Sequence, residues 1–171
     1  VAYTGAYNVA ATEEHSGFGH WVASTTMYHS IAARAGDETP PSFTREMVAA
    51  GAGEYKAMCQ QCHGGPGVTR AGWATNMLPQ PPELVDSARH WSAGEIRWIV
   101  EHGIKRTGMP AFGPGHDEET LWSITAFVTR LPEMSPADYA AFPESEHHGA
   151  GSDHHTDEDD QPSDESGDHE P

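Results

Sequence analysis

Residues 59–63 read Cys-Gln-Gln-Cys-His and contain the only two cysteines of the 171-residue chain. Two thiols at this spacing with a histidine directly after them have four known uses: a disulfide, part of a zinc site, a redox-active pair, or covalent attachment of a haem whose iron the histidine binds. Each use requires a different fold around the motif. This segment therefore restricts the rest of the chain more than any other.

The remaining sequence disfavours three of these uses. A structural zinc site needs four ligands, usually from a second cysteine or histidine pair, and the chain has no further cysteine. A thioredoxin-like pair belongs near a βαβ pattern, and no segment alternates like a strand. A disulfide across two residues would close a tight, strained loop and stabilise little. Haem attachment through Cys59 and Cys62, with His63 on the iron, depends on what the rest of the chain supplies.

Three features elsewhere agree with haem attachment. An amphipathic helix leads directly into the motif, and an apolar helix near residues 118–131 can close a haem pocket. Met109 lies in a loop rich in Gly and Pro, 46 residues after His63, and a thioether is a ligand that raises the potential of an electron-transfer iron. We therefore predict Met109 as the sixth ligand. The rival candidates for that position are Met77, His90, His102 and His116.

By composition the chain divides into three parts. Residues 1–41 form an N-terminal extension with a predicted helix at 18–35, which either packs on the domain or serves as a spacer from an anchor or as a partner contact. Residues 42–143 form the predicted haem domain. Residues 144–171 form an acidic, His-rich tail that cannot bury enough apolar surface to fold.

N-cap residues in the predicted haem domain indicate where its helices begin. Ser42 is the predicted cap of a helix that ends at the cysteines, and Ser92 with Glu95 forms a capping box for residues 93–102. Asp117 is the predicted cap of residues 118–131, and Ser135 begins a short helix that ends at residue 142. Since the connecting segments are long and no strand is predicted, the sequence indicates an all-α domain whose loops wrap a ligand.

Residues about 45–131 resemble the class I c-type cytochromes of bacterial respiratory chains. The matching elements are Gly51 and Tyr55, then CQQCH, then "GIKRTGMPAFG", then a terminal helix with Ala126 and Phe127. The resemblance implies a cytochrome c fold of three to five helices, with long loops around one covalently bound haem c (heme c). It also implies that Gly51 meets the Ala126–Phe127 turn where the first and last helices cross.

Site residues follow from the motif and from this resemblance. Cys59 and Cys62 carry the haem, and His63 and Met109 are the axial ligands of its iron. The resemblance implies that the carbonyl of Pro66 holds the other ring nitrogen of His63. We expect Arg70 and Trp73 to contact the haem propionates. We expect Pro81 and Pro82 to form the wall beside His63, Trp91 to lie near the haem, and Trp98 to belong to the core.

The acidic charge of the chain limits the kinds of molecule that we expect it to bind. The formal net charge is −17, and the segment from Glu144 onward contains eleven acidic residues and no Lys or Arg. Nucleic-acid binding is therefore not expected, and a basic protein partner fits better. No apolar run is long enough to span a membrane. Because the chain starts at Val1, we expect a removed signal or a membrane anchor upstream, and a periplasmic location.

These observations predict an electron-transfer protein and not an enzyme, either alone or as the cytochrome subunit of an oxidoreductase complex. The expected donor is a quinol–cytochrome c reductase or a periplasmic dehydrogenase, and the expected acceptor is a terminal oxidase or reductase. One alternative is a haem enzyme or gas sensor with a labile sixth ligand. Another is a metal-handling protein that binds divalent ions weakly through the tail histidines.

Overall fold

The computed structural model describes residues 3–36 and 38–143. Every regular element in these two ranges is helical and neither range contains a β-strand, which confirms the all-α prediction. The α-helices there are α1 (Gly17–Arg34), α2 (Arg45–Glu54), α3 (Gln60–His63), α4 (Leu84–Ser87), α5 (Ala93–His102), α6 (Glu118–Val128) and α7 (Pro136–Ala141). A π-helical turn, Tyr55–Cys59, joins α2 to α3. Short 3₁₀ turns lie at Ala74–Asn76, Ala88–His90, Gly113–Gly115 and Leu131–Glu133.

Side-chain caps begin α5, α6 and α7 where the sequence predicts them. The capping box of Ser92 and Glu95 begins α5, and Asp117 accepts a hydrogen bond from the Thr120 amide at the start of α6. The cap of α2 is Thr44 and not the predicted Ser42. Phe43 thereby stays outside the helix, and its ring packs 6.3 Å from that of Trp122 in α6.

Helices α2 and α6 cross at the centre of the domain. The backbone of Gly51 lies against Ser123 and Ile124, so the predicted contact with the Ala126–Phe127 turn is wrong by about one helical turn. Phe127 instead packs on Tyr55, one turn after Gly51, with ring centroids 5.3 Å apart. The large Tyr55 and Phe127 rings thus fill the turn next to the close approach at Gly51.

Two helices pack outside this pair. Helix α1 docks on α5 through the buried Ile31, and Tyr28 stacks on Trp91 at 4.4 Å. Trp91 therefore contacts α1 through this stacking. Helix α7 buries Tyr139 against Tyr55 and Phe127. Across residues 3–36 and 38–143, no helix combines the length and the hydropathy needed to cross a bilayer.

Candidate functional site

The two cysteines lie on the π-helical turn and on α3. Tyr55 fixes this segment, because its buried hydroxyl donates a hydrogen bond to the Gly64 carbonyl at 2.8 Å. Cys59 is buried, Cys62 is half-buried, and neither forms a disulfide. The pKa of the Cys59 thiol is raised to about 12, mainly by burial and to a lesser extent by the nearby Cys62. A thiol with such a pKa does not suit thiolate redox chemistry near neutral pH.

His63 is oriented by one of its ring nitrogens. Nδ1 donates a hydrogen bond to the Pro82 carbonyl at 2.8 Å, so that Nε2 is the nitrogen left to bind a metal. Burial lowers the pKa of His63, and the Arg70 charge adds to the effect, although the bond to Pro82 opposes it. The imidazole is therefore neutral near pH 7, which is the form that coordinates iron.

The proline that holds His63 is not the predicted one. Pro66 and Gly67 form the tip of a tight turn that two hydrogen bonds between Gly65 and Val68 close, each 2.8 Å long. Gly67 at this tip packs against Pro136. The residues on both sides of Pro66 lie against α7, whereas Pro82 approaches His63 from a segment 19 residues further on. Of the predicted wall of Pro81 and Pro82, the Pro82 carbonyl thus lies beside His63.

Met109 lies in a turn that its own backbone closes. The Ile104 amide donates to the Met109 carbonyl at 3.2 Å, and the Met109 amide donates to Thr107 Oγ1 at 3.1 Å. Gly103 permits this turn, since a side chain there would lie 2.7 Å from the Met109 carbonyl oxygen. Met77 packs against Gly108 in the same turn. The structure therefore brings Met77, a rival ligand, next to Met109.

The structure places the three rival histidines in different surroundings. His90 is exposed, and His102 packs edge-on against Trp98 at 4.8 Å, with its side chain about half exposed. His116 Nδ1 donates to the Phe112 carbonyl at 2.9 Å. Trp98 is half-buried, and Trp73 is 56% exposed on the loop after the motif.

Sequence reasoning missed the role of α7. The Tyr139 hydroxyl donates to Gln60 Oε1 at 2.6 Å, and Lys56 donates to the Phe142 carbonyl and lies over the Tyr139 ring. Gly65 also packs on this ring. The two glutamines between the cysteines do not predict such a contact. A tyrosine in a short helix of mostly small residues does indicate a buried face.

The donor set fits a covalently attached haem. Two unpaired thiols at positions i and i+3 precede a buried, neutral histidine with Nε2 unused, and a methionine turn is available as well. In the described part of the chain no cluster of His, Cys, Asp and Glu suits another metal ion. The tail histidines, and the tail itself, lie outside the described residues.

The family model for "Cytochrome C oxidase, cbb3-type, subunit III" matches residues 46–128. This span contains the cysteine motif, Pro82, Met109 and α6, and leaves out α1 and α7. No curated protein and no solved structure gives a significant match to the chain.

Proposed function

We infer that this chain, which belongs to the class I c-type cytochromes through residues 46–128, is a single-electron carrier with His63 and Met109 as the axial ligands of its haem. The family implies a covalently bound haem c and electron transfer. The haem supplies an iron that gains or loses one electron. The remaining tasks belong to the protein.

The hydrogen bond between His63 Nδ1 and Pro82 is the observation that carries this proposal. It holds the imidazole in one tautomer and one orientation, so the ligand needs no rearrangement when the iron changes valence. The closed turn of residues 104–109 holds the Met109 backbone in the same way. Two fixed ligands leave no open position for a substrate, which favours a carrier over a catalyst.

We propose that partners in a respiratory chain use this carrier on the periplasmic side of a membrane. The matched family is a subunit of a cbb3-type cytochrome c oxidase, and such an oxidase is one acceptor that fits. A quinol–cytochrome c reductase or a periplasmic dehydrogenase is the proposed donor.

Absorption spectroscopy of the holoprotein tests the ligand pair. We expect a long-wavelength sulfur-to-ferric-iron band and no carbon monoxide binding to the reduced protein. Met109→Ala removes the band and admits carbon monoxide, whereas Met77→Leu, the matched control in the adjacent position, keeps both properties of the parent. If Met77→Leu loses the band and Met109→Ala keeps it, the sixth ligand is Met77. Carbon monoxide binding to the parent would instead support an enzyme or gas sensor.

A further inference from the structure

Arg70 forms hydrogen bonds on both sides of the residue that orients His63. Its Nη1 donates to the Pro81 carbonyl at 2.5 Å, and its Nη2 donates to Glu83 Oε1 at 3.2 Å. Pro82, whose carbonyl accepts the hydrogen bond from His63, lies between these two contacts. One planar guanidinium thus bridges the neighbours of Pro82, an arrangement that a lysine ammonium cannot reproduce.

The surroundings of Arg70 make these contacts strong. Its side chain is 8% exposed, while that of Glu83 is 67% exposed. A hydrogen bond from a charged donor is stronger than a neutral one, and burial increases its strength further. The ion pair with Glu83 adds less because water screens that carboxylate.

The segment that Arg70 holds has few backbone amides to support it, although Gln80 Nε2 donates to the Thr75 carbonyl and the Glu83 carbonyl accepts from amides of α4. Three of the five residues from 79 to 83 are proline, and proline has no amide hydrogen to donate. In the described part of the chain, the carbonyls of Pro81 and Pro82 accept from the side chains of Arg70 and His63. The Arg70 bridge therefore contributes to the position of the Pro82 carbonyl, since it contacts the residue on each side of Pro82.

We propose that Arg70 is a positioning residue for the axial histidine, acting through Pro81 and Pro82. By fixing the Pro82 carbonyl against Nδ1, it sets both the ring orientation of His63 and the electron density on Nε2. The sequence predicts Arg70 as a propionate partner, but both terminal nitrogens of its guanidinium point to Pro81 and Glu83. This inference rests on the proposed function, since it assigns His63 to the iron.

Arg70→Gln in the holoprotein tests the proposal, with Arg70→Lys as the conservative variant. Arg89→Gln is the matched control, because Arg89 also donates to a proline carbonyl, that of Pro132, which is remote from His63 in sequence and in hydrogen bonding. The first readout is the solvent exchange rate of the His63 Nδ1 proton, measured by NMR on the reduced protein. The second is the reduction potential.

We expect Arg70→Gln to speed this exchange on the order of tenfold and to shift the potential. Arg70→Lys recovers part of both effects, and Arg89→Gln matches the parent. Glu83→Gln, which removes one end of the bridge, shifts both readouts less and in the same direction, and it serves as the test if Arg70→Gln does not fold.

Two results would overturn the proposal. One is an exchange rate in Arg70→Gln equal to that in Arg89→Gln. The other is a shifted potential with unchanged exchange, which would indicate that only the charge of Arg70 acts, as a propionate partner would. If the parent shows no reversible one-electron wave, the proposed function fails instead, and the exchange comparison still decides the role of Arg70.

Discussion

Gly51 and Ser123 bring the backbones of α2 and α6 into direct contact. A Cβ atom on residue 51 would lie 1.9 Å from the Ser123 carbonyl oxygen and 2.4 Å from its carbon. Both atoms belong to a buried helix backbone, so no side-chain rotation can make room. The position of α2, which leads into the cysteine motif, therefore depends on residue 51 having no side chain.

Gly51→Ala is expected to destabilise the holoprotein by about 1–3 kcal/mol, because α2 and α6 must separate to accept the methyl group. Guanidinium unfolding followed by circular dichroism measures this loss. Gly115→Ala is the control, since a Cβ there meets no atom within 4 Å. Equal midpoints for the two variants would show that the helices do not cross as closely as described.

The success of the sequence predictions depended on the distance over which each one acts. The caps at Ser92, Asp117 and Ser135 are correct because a cap is a contact between residues three positions apart. Among the incorrect predictions, the local one misplaced the cap of α2 by two residues, at Ser42 instead of Thr44. The other two, the partner of Gly51 and the proline that holds His63, concern residues far apart in sequence. In both cases several residues of the right type were available, and only packing distinguishes them.

Tyr139 connects α7, which lies outside the family match, to the cysteine motif. Tyr139→Phe removes the hydrogen bond to Gln60 from a side chain that is 1% exposed. We expect the free energy of unfolding to fall by about 1–2 kcal/mol. Tyr139→Ala, which also empties the space beside Tyr55 and Phe127, is expected to remove about 3–5 kcal/mol.

Tyr28→Phe is the matched control for Tyr139→Phe. The Tyr28 hydroxyl forms no hydrogen bond with the described residues, and its ring keeps the stacking on Trp91. Its free energy of unfolding is expected to stay within about 0.5 kcal/mol of the parent value. If both tyrosine variants unfold alike, the bond to Gln60 contributes nothing measurable.

Asp117 gives α6 a pH-dependent contribution to stability. The Thr120 amide donates to its carboxylate at 2.8 Å, and this bond lowers the pKa of Asp117 below the usual 3.8. Since the folded protein binds this proton more weakly than the unfolded chain, the stabilisation is complete above the unfolded pKa. It is lost as the pH falls through the lower folded value.

Asp117→Asn keeps a side-chain acceptor at the cap and removes the charge. We expect the parent to unfold at a higher denaturant concentration than the variant at pH 7, and this difference to shrink as the pH falls below 3.8. Denaturant titrations of both proteins at a series of pH values provide the comparison. A difference that stays constant with pH would mean that the carboxylate charge plays no part.

Lys105 and Arg106 place positive charge near Met109 in a strongly acidic protein. Loops 64–82 and 102–116, which flank the site, contain no Asp or Glu. Both cations are exposed, and neither forms an ion pair with an acid in residues 3–36 or 38–143. A redox partner that approaches these loops therefore meets a charge opposite in sign to that of the whole chain.

The double variant Lys105→Gln/Arg106→Asn measures this local charge. Asparagine suits residue 106, whose φ of 64° lies in the left-handed region. We expect oxidation of the reduced holoprotein by ferricyanide, an anion, to slow roughly two- to fivefold at low ionic strength, and the gap to close in high salt. Stopped-flow absorbance gives the rates, with Arg45→Gln, an exposed cation on α2, as the control. An equal decrease in the control variant would show that only the net charge of the protein governs the reaction.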